Sequence, residues 1–369
     1  MLRTLSVILT ISATAHGLAN PLLAQQDVPN PRTILAFPGA EGYGRFAWGG
    51  RGGDVYHVTN IQDAGPGSFR DGVDSATGPR TIVFEVSGTI ELKSQVRIRH
   101  KGLTIAGQTA PGDGITFKDN KLNFSKSSDI IVRYIRVRLG DRKNKGGKSP
   151  DAVSVDDCDH AIFDHVSFSW GIDGNQDTGN NKNYTFQWSI LSEALHNSLH
   201  HKGAHGMAGS FRRAESNTTI HHSIFATSRD RHPTLGGNQD QPHWIIDFRN
   251  NIIYNWSKGG TANLGDARIN VINNVFRPGP ESGTTLPIAM KARSTVGLAH
   301  GYMNGNVFDE RPELTANNYA AIDMDRWQKN YPYRGTLDEW KVAEIFDTGA
   351  NAPTTHTAKD ARRLVLSHA

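Results

Sequence analysis

Apolar and polar residues alternate in short bursts along most of this chain, and clusters of Gly, Asn, Asp and Ser separate the bursts. The stretches L-T-I-A-G (103–107), I-I-V-R-Y-I-R-V-R (130–138), A-I-F-D-H-V-S-F-S-W (161–170) and W-I-I-D-F-R-N-N-I-I-Y (244–254) carry the period-two pattern of half-buried strands. No helical periodicity lies between them, which argues against a βαβ sheet and for a solenoid of short β segments. A register recurs as well: a His, Trp or Asn is followed three residues later by an apolar residue at His165/Phe168, Trp188/Leu191, His222/Phe225, Asn251/Tyr254 and Asn273/Phe276. Successive pairs lie 23, 34, 29 and 22 residues apart. The longer intervals then hold loops, and loops gathered on one face of a solenoid build its site. The expected fold class is all-β, a parallel β-helix, with the asparagines at 250–251 and 273–274 stacked as amide ladders at turns.

After about residue 310 the pattern changes. T-L-D-E (336–339) is a capping box that opens a helical run to 346, and 357–366 is a second helix candidate. Short C-terminal helices are expected to cover a flank or end of the solenoid, whose exposed edge would otherwise invite aggregation. At the other end, one Arg, an apolar run at 5–13 and a small-residue stop at 22–24 read as a secretory signal peptide. The expected organisation is a signal peptide at 1–24, a β-helix at 25–310 and a C-terminal extension at 311–369. Cys158 is the sole cysteine, so no intramolecular disulfide forms, and it reads as a small buried hydrophobe.

The formal charge of +4 is a mild bias toward acidic partners and too small for nucleic acid binding. No later segment is apolar enough for a membrane partner, and a monomer is expected. G-G-R-G-G (49–53) lacks the G-K-[ST] of a phosphate loop and reads as an N-terminal turn of the solenoid. No His or Cys set in acceptable context points to zinc.

The middle of the chain carries the chemistry. Asp151, the pair Asp173 and Asp177, Lys202 and Arg231 recur at intervals of 22, 25 and 29 residues, about one β-helix coil each. Strands in such a stack lie roughly 4.8 Å apart, so three carboxylates and two cations would share one face within about three coils. Taken singly, each Asp is an ordinary turn former. Together they read as a calcium site, since Ca2+ takes six to eight oxygen ligands in irregular geometry. Asp156 and Asp157 are the alternative third ligand.

The same stretch bears an ordered set of motifs: D-G-N-Q-D (173–177), H-H-K (200–202) and T-I-H-H-S-I-F-A-T-S-R-D-R-H-P (219–233), preceded by A-F-P-G-A-E-G-Y-G (36–44) and G-P-G-S-F-R (65–70). Over about residues 36–310 this set resembles the pectate lyases of polysaccharide lyase family one. The resemblance implies a right-handed parallel β-helix, secreted to the exterior or periplasm, that cleaves de-esterified polygalacturonate by calcium-dependent β-elimination. It implies Asp151, Asp173 and Asp177 as calcium ligands, Arg231 as the base and Lys202 as stabiliser of the developing charge. His201, His205, Arg229 and His232 are the candidate substrate contacts. An arginine base runs against the rule that guanidinium keeps its proton, so His201 or His205 is the rival. His221 and His222 are expected to alternate, one ring inside and one near the groove. The lysine-rich run at 143–148 is a solvated loop or a groove-edge loop that attracts polyuronate. Many family members carry a second Arg where this chain has Gly236; that substrate contact is missing or comes from elsewhere, such as Arg229. Two other readings stand beside this one. A polygalacturonase-type hydrolase needs paired carboxylates, for which D-D-C (156–158) and A-H-G-M-A-G-S (204–210) are faint matches. A non-catalytic β-helical carbohydrate-binding protein would lack the isolated Lys and Arg in register.

Overall fold

The computed structural model describes residues 33–142, 149–213, 216–236, 244–257, 262–293 and 299–369. The signal segment and the lysine-rich run at 143–148 lie outside the described residues. Three parallel sheets wind into a β-helix, one of ten strands and two of nine. Each coil gives one strand to each sheet, as Asp159–Asp164, Ser167–Ser169 and Gly174–Gly179 do in turn. Alternate side chains of every strand point inward. There Phe163, Tyr184, Phe186, Phe211, Phe225 and Phe248 form a continuous apolar column, with Phe163 and Tyr184 centroids 5.7 Å apart and Phe225 and Phe248 5.8 Å apart.

The repeated register marks one corner of the coil. Tyr134, His165, Trp188, His222, Asn250 and Asn273 all have φ between 48° and 57°, a left-handed turn that folds the chain from the ten-stranded sheet into the next. Three residues on, Phe168, Leu191, Phe225, Ile253 and Phe276 pair in register. The repeat at Asn251/Tyr254 is therefore displaced by one: Asn250 takes the turn, which asparagine tolerates, and Ile253 points inward. The second asparagine forms the expected ladder. Asn251 N–H donates to Asn274 Oδ1 at 2.9 Å, Asn274 N–H to Asn306 Oδ1 at 3.0 Å, and Asn306 N–H to Asn318 Oδ1 at 2.9 Å. Asn274 Nδ2 also donates to Phe248 O at 3.0 Å. Asn274→Ala strands several buried groups at once, each costing roughly 1–3 kcal/mol. We expect a loss of about 3–5 kcal/mol by urea denaturation, and a loss under about 1 kcal/mol would show the ladder to be dispensable.

Residues 36–50 lie across the outer face of the ten-stranded sheet, and 49–53 turn into its first strand, Asp54–Val58, as expected. Tyr43 N–H donates to Thr219 Oγ1 at 3.2 Å, Gly44 N–H to Thr185 Oγ1 at 2.8 Å and Gly50 N–H to Thr104 Oγ1 at 3.0 Å. Gly44 must be glycine, because a Cβ there would sit 2.2 Å from Ala161 O. The capping box at Thr336 and Glu339 is present, but its helix spans only Leu337–Trp340 and does not reach 346. Trp340 is fully buried beneath Gly301, and the chain then turns extended to bridge Lys341 to Gly301. Residues 346–356 return along the ten-stranded sheet: Phe346 N–H donates to Asn270 Oδ1 at 3.1 Å and His356 N–H to Asn250 Oδ1 at 3.0 Å. Helix Ala358–His368, capped by Thr357, then packs Ala358 and Val365 on Ile252 and Val275. Cys158 is free and buried, as expected.

Candidate active site

Of the predicted charged column, Asp151, Asp173, Asp177 and Arg231 gather on the nine-stranded sheet that contains Val153–Asp156, Gly174–Gly179, Met207–Phe211 and Thr234–Leu235, whereas Lys202 stands on a loop outside it. Ser154, Asp177, Ser210 and Thr234 pair along one row. Arg231 enters this sheet just ahead of Thr234. Its backbone is fixed on both sides, with its N–H on Asp230 Oδ1 at 2.6 Å and its carbonyl accepting from Gly209 N–H at 2.9 Å. Its Nη1 donates to Ser210 Oγ at 3.2 Å, which sets the guanidinium one coil above Asp177. Asp177 Oδ1 in turn accepts from Arg212 Nη2 at 2.7 Å.

Asp151 stands two residues before its strand. A Cβ on Gly174 would lie 3.1 Å from Asp151 Oδ1, so the glycine leaves room for this carboxylate against the coil of Asp173 and Asp177. Burial, then the negative charges of Asp177 and Asp173, pushes the Asp151 carboxyl well above the usual carboxylate range. Burial alone would raise Asp173 too. The His205 hydrogen bond and the charge of Arg231 outweigh it and hold Asp173 below its ordinary value. Asp156 lies farther along the sheet and is raised by burial and by Asp177, while Arg213 acts against both.

The loop 193–206 supplies histidines. His205 Nε2 lies 2.7 Å from Asp173 Oδ1 and His200 Nε2 lies 3.7 Å from it. The two rings stack with centroids 3.8 Å apart. Asp173, His200 and His205 together have the donor spacing of a metal cluster. However, His200 Nδ1 accepts from Lys202 N–H at 3.0 Å, so in the neutral ring Nε2 carries the proton and faces Asp173 as a donor. That tautomer opposes a two-histidine transition-metal site. The three carboxylates fit a hard cation better: they offer oxygen donors, one is crowded by its like-charged neighbours, and a glycine cradles it.

The other candidates divide. His201 Nδ1 lies 2.9 Å from Ser149 Oγ and ties the loop down near Asp151. Lys202 is exposed on the same loop, with no side-chain partner among the described residues. Arg229 donates to Ala204 O and braces that loop from the next coil. His232 does not face the groove. It is fully buried, neither ring nitrogen has a hydrogen-bond partner among the described residues, and burial lowers its pKa to about 3. The expected split of His221 and His222 also fails, for both are fully buried beneath the segments 36–50 and 346–356 that lie on the ten-stranded sheet. They form a chain, His221 Nδ1 to His222 Nδ1 at 2.8 Å and His222 Nε2 to His356 Nδ1 at 2.9 Å. The carboxylate cluster lies on an open face, with the Asp173 side chain 38% exposed. Two cavities of about 530 and 460 Å³, lined around Tyr134 and around Phe276, contain none of these residues.

Among known proteins, a probable pectate lyase C of Emericella nidulans is 37% identical over 320 residues, which span 83% of this chain and 70% of the fungal protein. The chain belongs to the pectate lyases. No family profile matches it. Solved structures share its fold at lower identity. The cedar pollen allergen Jun a 1 has a TM-score of 0.63 at 17% identity, covering 89% of this chain and 92% of the allergen. Bsp165PelA from Bacillus sp. N165, in complex with trigalacturonate, has a TM-score of 0.53 at 17% identity and 89% and 98% coverage. Pectate lyase C from Erwinia chrysanthemi, at pH 9.5 with 30 mM Ca2+, has a TM-score of 0.54 at 16% identity and 89% and 95% coverage. This pectate lyase is thus a polysaccharide lyase. Two groups at its site escaped the sequence reading, His200 and Arg212. Only the H-H-K motif pointed to His200, and Arg212 carries no local motif.

Proposed function

We propose that this pectate lyase cleaves de-esterified polygalacturonate by calcium-dependent β-elimination, releasing unsaturated oligogalacturonides. The observation that carries the reading is the guanidinium of Arg231, held on Ser210 one coil above Asp177 and electrostatically coupled to Asp151 and Asp173. Elimination removes the C5 proton of a uronide, which is unreactive until the adjacent carboxylate is neutralised. Calcium held by Asp151, Asp173 and Asp177 would supply part of that neutralisation. Lys202 adds positive charge where the enolate-like charge develops. To act as the base, Arg231 must first give a guanidinium proton to solvent; the neutral guanidine then takes the C5 proton, the C5–H pair becomes the C4–C5 double bond, and the C4–O bond breaks with its electrons leaving on the glycosidic oxygen, which takes a proton from water. His205 is engaged with Asp173 and His201 with Ser149, which favours Arg231 over either as the base. Arg229, through its hold on Ala204, keeps the histidine loop in position. The leader at 1–24 supports export, and no helix of the described residues is long and apolar enough to cross a membrane.

The test is the ultraviolet absorbance of unsaturated ends released from polygalacturonate. Chelator is expected to abolish it and added calcium to restore it, with the circular dichroism of the fold little changed. Full turnover in excess chelator would remove calcium from the reading. Saturated products, each heavier by one water, would hand the case to a hydrolase.

A further inference from the structure

The site sheet holds a second cation with no ion-pair partner among the described residues. Leu235, Leu264 and Met290 pair in successive coils with their side chains in the core. Phe211 pairs with Leu235 one coil below. The next residue along each strand therefore forms an outward row: Arg212, Gly236, Gly265, Lys291. Backbone bonds confirm the register, with Gly236 N–H on Phe211 O at 2.8 Å, Gly265 N–H on Leu235 O at 2.8 Å and Lys291 N–H on Leu264 O at 2.7 Å. Gly236 and Gly265, both buried, put no side chain on this row between the two cations. Arg212 is engaged with Asp177, whereas Lys291 is not engaged.

Lys291 is only 7% exposed, and among the described residues its Nζ has neither a hydrogen-bond acceptor nor a carboxylate at ion-pair distance. Its near neighbours are two rings, Trp327 with its centroid 4.8 Å away and Tyr331 at 5.2 Å. The Arg293 guanidinium shares Tyr331 from 4.7 Å. The buried acid Asp230 already accepts from Arg231 N–H and from Asn263 Nδ2 at 3.0 Å. Burial, with Arg231 and Arg212 against the pull of Asp230, brings the Lys291 ammonium down to about 8, so it stays charged at neutral pH. A largely buried ammonium with no hydrogen-bond acceptor among the described residues is costly, and an anion that supplies acceptors relieves the cost.

We propose that Lys291 binds a carboxylate of the uronide chain two coils beyond Arg231, with substrate running along the solenoid axis beside Trp327 and Tyr331. Two coils are about 10 Å, longer than one hexose ring, so Lys291 holds a different sugar from the one that loses its proton. This inference rests on the lyase reading of Arg231. It also supplies a cation on the row of Gly236 without placing one in that coil.

The experiment uses the full chain with calcium. Lys291→Met is expected to raise KM for polygalacturonate about tenfold, the worth of a charge-assisted hydrogen bond, with kcat within about twofold. Lys291→Arg is expected to restore most of the loss. Calorimetric binding of hexagalacturonate to the Arg231→Lys protein, with and without Lys291→Met, reads the same contact free of turnover, and the same tenfold weakening is expected. Unchanged KM and affinity, with or without a lower melting temperature, would reduce Lys291 to a counter-charge for Asp230 and overturn the inference. If Lys291→Met does not fold, acylation of Lys291 in the otherwise native protein, followed by mass spectrometry, replaces it; hexagalacturonate must slow the labelling. Failure of the lyase reading is separate, because it shows as absence of unsaturated product from the unmodified enzyme.

Discussion

Arg231→Lys is expected to lower kcat on polygalacturonate by about 100-fold to 10,000-fold, with KM, calcium affinity and the fold close to those of the unmodified enzyme. Lysine keeps the charge but loses the planar fork and moves its nitrogen. The backbone frame survives the change, because Asp230 and Gly209 hold the main chain of residue 231 and its φ of 59° costs lysine no more than arginine. What is lost is the Nη1 contact to Ser210 and the proton acceptor aimed from it. Loss of a mere carboxylate clamp would appear mainly in KM. His201→Ala and His205→Ala are the controls and should retain most of kcat, although the second frees Asp173 and should alter calcium affinity. Near-normal kcat in Arg231→Lys, together with an inactive histidine variant, would move the base to that histidine.

Relative to a His232→Met variant, the unmodified protein is expected to lose about 3 kcal/mol of stability between pH 6.5 and pH 4. The His232 imidazole has a folded pKa of about 3 through burial, against about 6.5 in the unfolded chain. The unfolded state therefore binds the extra proton first. Stability is complete above pH 6.5 and falls by about 1.4 kcal/mol per unit below it until the folded pKa is reached. His222, lowered to about 3, and His221, also lowered by burial, act with the same sign. Asp230 and Asp247, both raised by burial, act against them, which is why the difference between two proteins is measured and not one acid melt. Urea midpoints at pH 7, 5.5 and 4 give the result; parallel curves would mean that folded His232 reaches protons.

The charged column was legible in the sequence because a β-helix maps distance along the chain onto distance along one axis. Residues one coil apart in number are neighbours in space, so Asp151, Asp173, Asp177 and Arg231 converge with no need to know the loops. Within a coil the mapping weakens. Whether Asn250 or Asn251 takes the left-handed corner is a one-residue question that composition leaves open, and both residues suit a turn. His232 follows Arg231 directly, and only the path between Arg231 and Thr234 decides that its ring enters the core. Arg212 and Lys291 share a row with two glycines, a kinship visible only once strand pairing is known. The segment at 36–50 is bound by threonines on distant coils, and nothing local announces such partners.

A solenoid is held together coil by coil and tends to come apart like a stack, from whichever end loosens first. In this protein Arg45 donates to Ala350 O, Thr354 donates to Glu41, and His356 is anchored on Asn250, while Tyr43 and Gly44 reach Thr219 and Thr185. Segments that are far apart in sequence are thus buckled to each other across the middle of the stack. The network of contacts becomes a ring instead of a line, and a ring offers no loose end from which to unwind. The vulnerable point of such a fold is the buckle, at 346–356, more than either outermost coil.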